Sequence, residues 1–192
     1  MIPKQIEIRM LSPEDAPDLG AFFELLACDL DTQTFFHPHP LTQESARAIC
    51  LKAVTGRDRY FVARWESAII GYSMLRGWDE GYAVPSFGGC VHPELRSAGI
   101  GGEILKHAIQ QSKQSPAPRL RLTVYKQNAP AIRLYRNIGF EFSDKNDHEL
   151  IGILELARYH ERPARGADLD RIASWFRNSY QRRQFIPSGD LI

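Results

Sequence analysis

The stretch Val91-His92-Pro93-Glu94-Leu95-Arg96-Ser97-Ala98-Gly99-Ile100-Gly101-Gly102 decides how the rest of this chain is read. An apolar run ends at Val91, Pro93 stops the strand, and three glycines fall within four residues. Ile100, Ile104, Leu105, Ala108 and Ile109 then recur at helical spacing and share one face. A strand, a glycine-rich turn and a helix start together make an anion site. The first helical N–H groups have no intrahelical acceptor and carry the positive end of the helix dipole. Gly99 and Gly101 lack a Cβ, so a phosphate can approach the backbone closely. The spacing is Arg-x-x-Gly-x-Gly, which is neither Gly-x-x-x-x-Gly-Lys-Ser/Thr nor Gly-x-Gly-x-x-Gly. Taken alone, the turn reads equally well as an ordinary strand-to-helix connection.

A second block lies downstream, from Leu122 through Asn128, Pro130 and Tyr135 to Gly139-Phe140. The two blocks, in this order and at this separation, resemble the GNAT superfamily of N-acetyltransferases over about residues 5–157. The resemblance implies acetyl-CoA as co-substrate. It implies that the backbone of Gly89, Cys90 and Val91 meets the pantetheine arm. The turn Arg96, Ser97, Ala98, Gly99, Ile100, Gly101 and Gly102 would hold the pyrophosphate. Asn128 and Ala131 would also face the cofactor. Tyr135 would stand near its sulfur, where a phenol can give a proton to a departing thiolate. Each has a plainer reading: Asn128 as a turn residue before Pro130, Tyr135 as core packing, Arg96 as a solvated or capped cation.

The remaining elements follow from periodicity. Gln5–Met10 alternates and reads as a strand. Ser12-Pro13-Glu14-Asp15 is a helix start, and Ala16, Leu19, Phe23, Leu26 and Leu30 step by three and four. Residues 31–40 read as a stiff loop because Pro38 and Pro40 favour extended neighbours. Thr42 caps a second helix running to about Thr55, and Gly56 stops it. Tyr60–Trp65 and Ile69–Leu75 form a hairpin turning at Glu66-Ser67. Ser86–Val91 is the next strand, with Gly88 and Gly89 inside it, where glycine marks a bulge or a close backbone approach.

A helix over 101–114, a strand over 120–124, a helix over 130–138 and a closing hairpin complete an α/β domain. By resemblance its sheet is mixed and mainly antiparallel, with a splayed central strand and flanking helices. The expected division is an acetyltransferase domain over 1–157 and a basic linker with an amphipathic helical tail over 158–192. The tail helix, Asp168 to about Gln184, presents Leu169, Ile172, Phe176 and Tyr180, with Trp175 beside them. It is expected to pack on its own domain or to join two chains as a homodimer.

Composition narrows the classes. The 192 residues are 43% hydrophobic and 24% charged, as in globular proteins. No apolar run is long enough to span a membrane, and the first residues show no secretory apolar stretch. A net charge of +1 offers no field for nucleic acid. Three cysteines without Cys-x-x-Cys spacing suit reduced thiols in a cytoplasmic protein. No metal site is expected, since His37-Pro38-His39 lacks companion ligands.

The acceptor is the open part. The strand Ser86–Val91 has no carboxylate where many members of the superfamily place a glutamate. Candidate bases are Glu80, Asp79, His37, His39 and His92, with Glu80 first. Phe35, Phe36, His37 and His39 on one connection face Trp78, Asp79, Glu80, Tyr82 and Ser86 on another. Aromatic faces beside polar groups suit a small amine acceptor, such as an amino-sugar. Two other readings stand: acetylation of a protein or peptide N-terminus, and a non-catalytic CoA-binding sensor.

Overall fold

The computed structural model describes residues 6–159 and 166–184, the last five of them by backbone alone. The elements run β1 (Glu7–Met10), α1 (Ala16–Ala27), α2 (Leu30–Phe35), α3 (Gln43–Thr55), β2 (Arg59–Trp65), β3 (Ala68–Arg76) and β4 (Ser86–Val91). There follow α4 (Ile100–Lys113), β5 (Arg119–Tyr125), α5 (Ala129–Ile138), β6 (Glu141–Asp144), β7 (Glu149–Glu155) and α6 (Leu169–Gln184). Short 3-10 turns lead into α1, follow β4 and follow β7.

The seven strands form one sheet in the order β1-β2-β3-β4-β5-β7-β6. Only β4 and β5 are parallel, because α4 carries the chain back across the sheet between them. Each face is covered. Alternation on β2 and β3 sends Tyr60, Val62, Tyr72 and Met74 against α1 and α3, and Phe61, Ala63, Ile70 and Leu75 toward α4. Leu19, Phe23 and Leu26 of α1 are fully buried on the first face, and Leu105, Ala108 and Ile109 of α4 on the second.

The connection expected as a loop over 31–40 instead begins with α2. Asp29 is the reason. Its carboxylate accepts from the Thr32 backbone N–H at 2.8 Å and from the Thr32 hydroxyl at 2.7 Å, a cap that starts a helix. The extended path that the two prolines dictate holds only from Phe36 onward.

The tail helix packs on its own chain. Ile172 is fully buried in the α4-side core. The Trp175 indole donates to Glu94 Oε2 at 2.6 Å, and the Asp168 N–H donates to Ala98 O at 2.8 Å. Ile172 and Trp175 thus serve the packing of the tail on its own domain. The linker over 160–165 and the side chain of Tyr180 lie outside the described residues.

Candidate active site

The cleft begins where β4 and β5 part. They pair only at Ser86↔Arg121 and Phe87↔Leu122, whereas β4 stays paired with β3 out to Val91. The His92 N–H donates to Ile70 O at 2.9 Å, toward β3, and the Arg121 N–H donates to Pro85 O at 3.0 Å, toward β5. Strand alternation therefore aims residues 85, 87, 89 and 91 at β5. Beyond Phe87 there is no β5 backbone to meet them, so Gly89 and Val91 turn their N–H and C=O groups into the gap. A cavity of about 740 Å³ fills it, lined by Gly89, Cys90 and Val91 on one side and by Thr123, Asn128 and Tyr135 on the other.

At the far end of this cavity sits the glycine-rich turn. Ser97 (φ +64°) and Gly99 (φ +83°) both take the left-handed conformation and bracket Ala98. Gly99 is the N-cap of α4, so the N–H groups of Ile100 and Gly101 have no helical carbonyl to donate to. The Gly102 N–H reaches Gly99 O at 3.0 Å. A Cβ on Gly101 would meet nothing closer than Leu134 Cδ2 at 3.5 Å, so that position opens on the cavity.

Four residues of the turn also carry roles within the fold. A Cβ on Gly99 would stand 2.8 Å from Gly166 O and 2.9 Å from Ala167 Cα. That glycine, which also lines the cavity, therefore serves the left-handed turn and the approach of the tail. Ala98 spends its N–H on Leu95 O and its C=O on the Asp168 N–H, and neither Ala98 nor Ile100 shows a side chain to the cavity. Arg96 is held by the carboxylates of Asp29 and Asp31 and by Thr32 Oγ1 at 3.0 Å. It ties α2 to the turn rather than standing free for an anion. A cation that motif reading missed is Arg133, exposed on α5 at the same cavity and without an ion pair among the described residues.

Tyr135 lies against Phe87 (ring centroids 6.4 Å apart) and Phe140 (5.8 Å) and lines the cavity. Burial pushes its pKa up to about 12, so the phenol keeps its proton at neutral pH. Burial also pushes the Cys90 thiol far above its ordinary value, which leaves it a poor nucleophile. Asn128 is the N-cap of α5, its Oδ1 accepting from the Ala131 N–H at 3.2 Å, and both residues line the cavity.

A second cavity, of about 500 Å³, opens at the other end of β4. It shares Phe87 and Gly88 with the first. Gly88 is a window between them. A Cβ there would point at Met74, 2.5 Å from its Cε. Glu80, Tyr82 and Ser86 line this second cavity together with Arg76 and Arg121.

The expected acceptor residues divide. Phe35 and Phe36 line the larger cavity. His37 is exposed, touching Gln33 O and standing 3.5 Å from the Tyr125 hydroxyl. His39 instead packs against Phe23 (5.0 Å) and Tyr72 (5.7 Å), and burial lowers its pKa. Trp78 is 8% exposed in the α4-side core, with the Arg59 guanidinium over its ring. Asp79 Oδ1 accepts from the Arg57 N–H at 2.6 Å and holds the turn after α3. His92 packs on Trp175 (4.7 Å) and faces the α1–α6 groove. The fold uses His39, Trp78, Asp79 and His92 for its own packing and turns. Arg76, Arg121 and Gly88, which motif reading did not single out for an acceptor, line the second cavity.

The sequence pattern described as the Acetyltransferase (GNAT) family matches residues 23–140. Streptothricin acetyltransferase of Streptomyces lavendulae is 42% identical over 52 residues, which are 27% of this chain and 28% of that protein. The L-amino acid N-acetyltransferase AaaT of Escherichia coli (strain K12) is 34% identical over 59 residues, 30% of this chain and 36% of that one. The matches thus span about a third of the length of these curated relatives. Among solved structures, an acetyltransferase of the GNAT family from Streptococcus pneumoniae superposes with a TM-score of 0.67 at 20% identity. It covers 79% of this chain and 99% of its own, a likeness of fold.

Proposed function

We propose, since the chain belongs to the Acetyltransferase (GNAT) family, that it transfers an acetyl group from acetyl-CoA to the primary amine of a small molecule. The observation that carries this reading is the pair of cavities meeting at Gly88. One leads along the unpaired edge of β4 to a helix N-terminus, as an extended, pyrophosphate-bearing cofactor requires. The other ends on polar side chains, as a second substrate requires.

The residues present fit the cofactor. Gly89 and Val91 offer backbone groups along the gap, and Ile100 and Gly101 offer N–H groups at its end. Gly101 leaves room for the phosphates, and Arg133 adds a positive charge at the mouth. Acetyl-CoA supplies the activated acyl group as a thioester. In the transfer the amine nitrogen bonds to the acyl carbon and the carbon–sulfur bond breaks. Glu80, the carboxylate of the acceptor cavity, takes the proton that the amine gives up. Tyr135 gives its phenolic proton to the departing sulfur. The three cysteines stand free of disulfides, in keeping with a reducing, cytoplasmic setting.

The test has two arms. Release of free CoA thiol, followed over a panel of small amines and short peptides, should show turnover with small amines. Calorimetry on Gly101→Val should show acetyl-CoA affinity falling by about 100-fold or more, since a branched side chain would occupy the phosphate approach. Unchanged affinity in the folded variant would remove the turn from the cofactor site.

A further inference from the structure

We propose that the acceptor carries a carboxylate close to its amine, as an amino acid does, and that Arg76, Ser86 and Arg121 bind it. This rests on the acetyl-transfer reading and names its acceptor class. The three residues form one row across three adjacent strands. Arg76 of β3 is the register partner of Ser86 of β4, and Ser86 is the partner of Arg121 of β5. Register partners point to the same face of a sheet, and neighbouring strands lie about 4.8 Å apart. The row therefore sets two guanidinium stems about 10 Å apart with a hydroxyl between them. All three line the second cavity.

The charge arrangement suits a zwitterion. The charged residues lining this cavity are Arg76, Glu80 and Arg121. Arg76 is anchored, donating to Pro38 O at 3.1 Å and standing 3.8 Å from Glu80 and 4.0 Å from Asp58. Its Nε is buried and lacks a hydrogen-bond partner. Arg121 is half-buried, and its guanidinium has no protein partner among the described residues. A half-buried arginine without a counter-ion, beside a second one that adds positive charge across the row, leaves room for one bound anion. A planar carboxylate matches the fork of a guanidinium. Glu80 then faces the ammonium end.

Distance limits the acceptor. Gly88, the window to the cofactor cavity, is two residues along β4 from Ser86, about 6.7 Å. An amine meant for Gly88 and a carboxylate meant for the row must fit within that span. Amino acids with the amine close to the carboxylate fit. A peptide N-terminus, whose own α-carboxyl group is tied up in an amide, offers no such α-carboxylate.

The experiment compares the common L-amino acids with their amides. The amide removes the charge and little else. Its amine, with a pKa of about 8, is also the more deprotonated of the pair, so intrinsic reactivity favours the amide. A preference for the acid must then come from the protein. The expected result is a kcat/KM at least about 10-fold higher for the preferred acid than for its amide. Arg121→Met should bring that ratio toward one with an unchanged acetyl-CoA Kd, and Arg121→Lys should restore part of it. An amide accepted as well as its acid, or an acid preference that survives Arg121→Met, would overturn the clamp and leave acetyl transfer standing. Calorimetry with N-acetyl amino acids and CoA separates the converse case. Carboxylate-dependent binding lost in Arg121→Met, without turnover, would keep the clamp and remove the transfer reading. No carboxylate dependence in turnover or in binding overturns the proposal.

Discussion

The two ends of the cleft are built by different means. At the end proposed for the phosphates the groups facing the cavity are backbone N–H groups, set by one contiguous turn and the start of α4. At the proposed acceptor end they are side chains from three strands, with Glu80 from the connection between two of them. The turn is stiffened from outside: Arg96 binds it to α2, and residues 166–168 close over Gly99. The acceptor row has no such brace on Arg121. A backbone site tolerates changes of side chain but not of shape. A side-chain site is the reverse, and one substitution can change what it selects without moving the fold.

The largest expected effect lies where the two ends meet. Tyr135→Phe keeps the ring against Phe87 and Phe140 and removes only the proton. We expect kcat to fall by about 10–10³-fold with acetyl-CoA affinity nearly unchanged. Burial raises the phenol to about 12, so it holds its proton across the neutral and mildly alkaline range. Wild-type kcat should therefore show no alkaline loss from this group below about pH 11. Full activity of the Phe variant across pH would take Tyr135 out of the reaction.

Two glycines of the turn sharpen the contrast between shape and occupancy. Gly99→Ala forces a Cβ onto a left-handed residue and into the Gly166–Ala167 backbone, and should cost about 1–3 kcal/mol of stability. Gly101→Ala adds a Cβ at ordinary van der Waals distance from Leu134 and Val91 on a helical residue, and should leave stability unchanged or slightly raised. Denaturant midpoints of the two variants decide this. Equal midpoints would mean that the tail does not constrain Gly99.

The same contrast explains what was legible from the chain alone. The turn was readable because its function depends on glycine spacing and a helix start, which are local. The sheet and its splayed centre came with the two motif blocks, and the parting of β4 from β5 after Phe87 agrees with them. Arg76 and Arg121 were not readable as a pair. They are 45 positions apart and meet only through the register with Ser86. Trp78 and His39 misled for a related reason: aromatic content in a connection does not say which way a ring turns, and both turn inward. Helix α2 was missed because two prolines dominated the reading of 31–40, while its cap, Asp29, stands just before that window.

That cap supplies a smaller effect. Asp29→Ala removes both the start of α2 and the partner of Arg96, and should cost about 1–2 kcal/mol. Burial alone would raise the Asp29 pKa, but its bonds to Arg96 and Thr32 outweigh that and hold it below the ordinary value. A carboxylate depressed in the folded state stabilises above its unfolded pKa and loses that contribution as pH falls through the folded one. The gap in thermal midpoint between wild type and Asp29→Ala should therefore narrow below about pH 4. A gap independent of pH would mean that the ion pair contributes nothing.

The smallest effect tests whether the phosphate end needs its brace at all. Ile172 is fully buried and anchors α6, and truncating it to alanine leaves a cavity beneath the helix. The loss falls on docking of the tail, because α6 touches the domain beside the turn, at Glu94 and Ala98. Ile172→Ala should loosen the contact of Gly166 and Ala167 with Gly99 and give the turn more conformations to lose when phosphate binds. The acetyl-CoA Kd should then rise by roughly threefold. The acid-to-amide ratio at the proposed acceptor end should stay where it was, since no described side chain of α6 lines the cavity on which the row opens. Calorimetry and acceptor kinetics on the one variant read both ends together. A change in acceptor preference without a change in cofactor affinity would show that the tail acts on the acceptor end instead, and that the two ends are not mechanically separate.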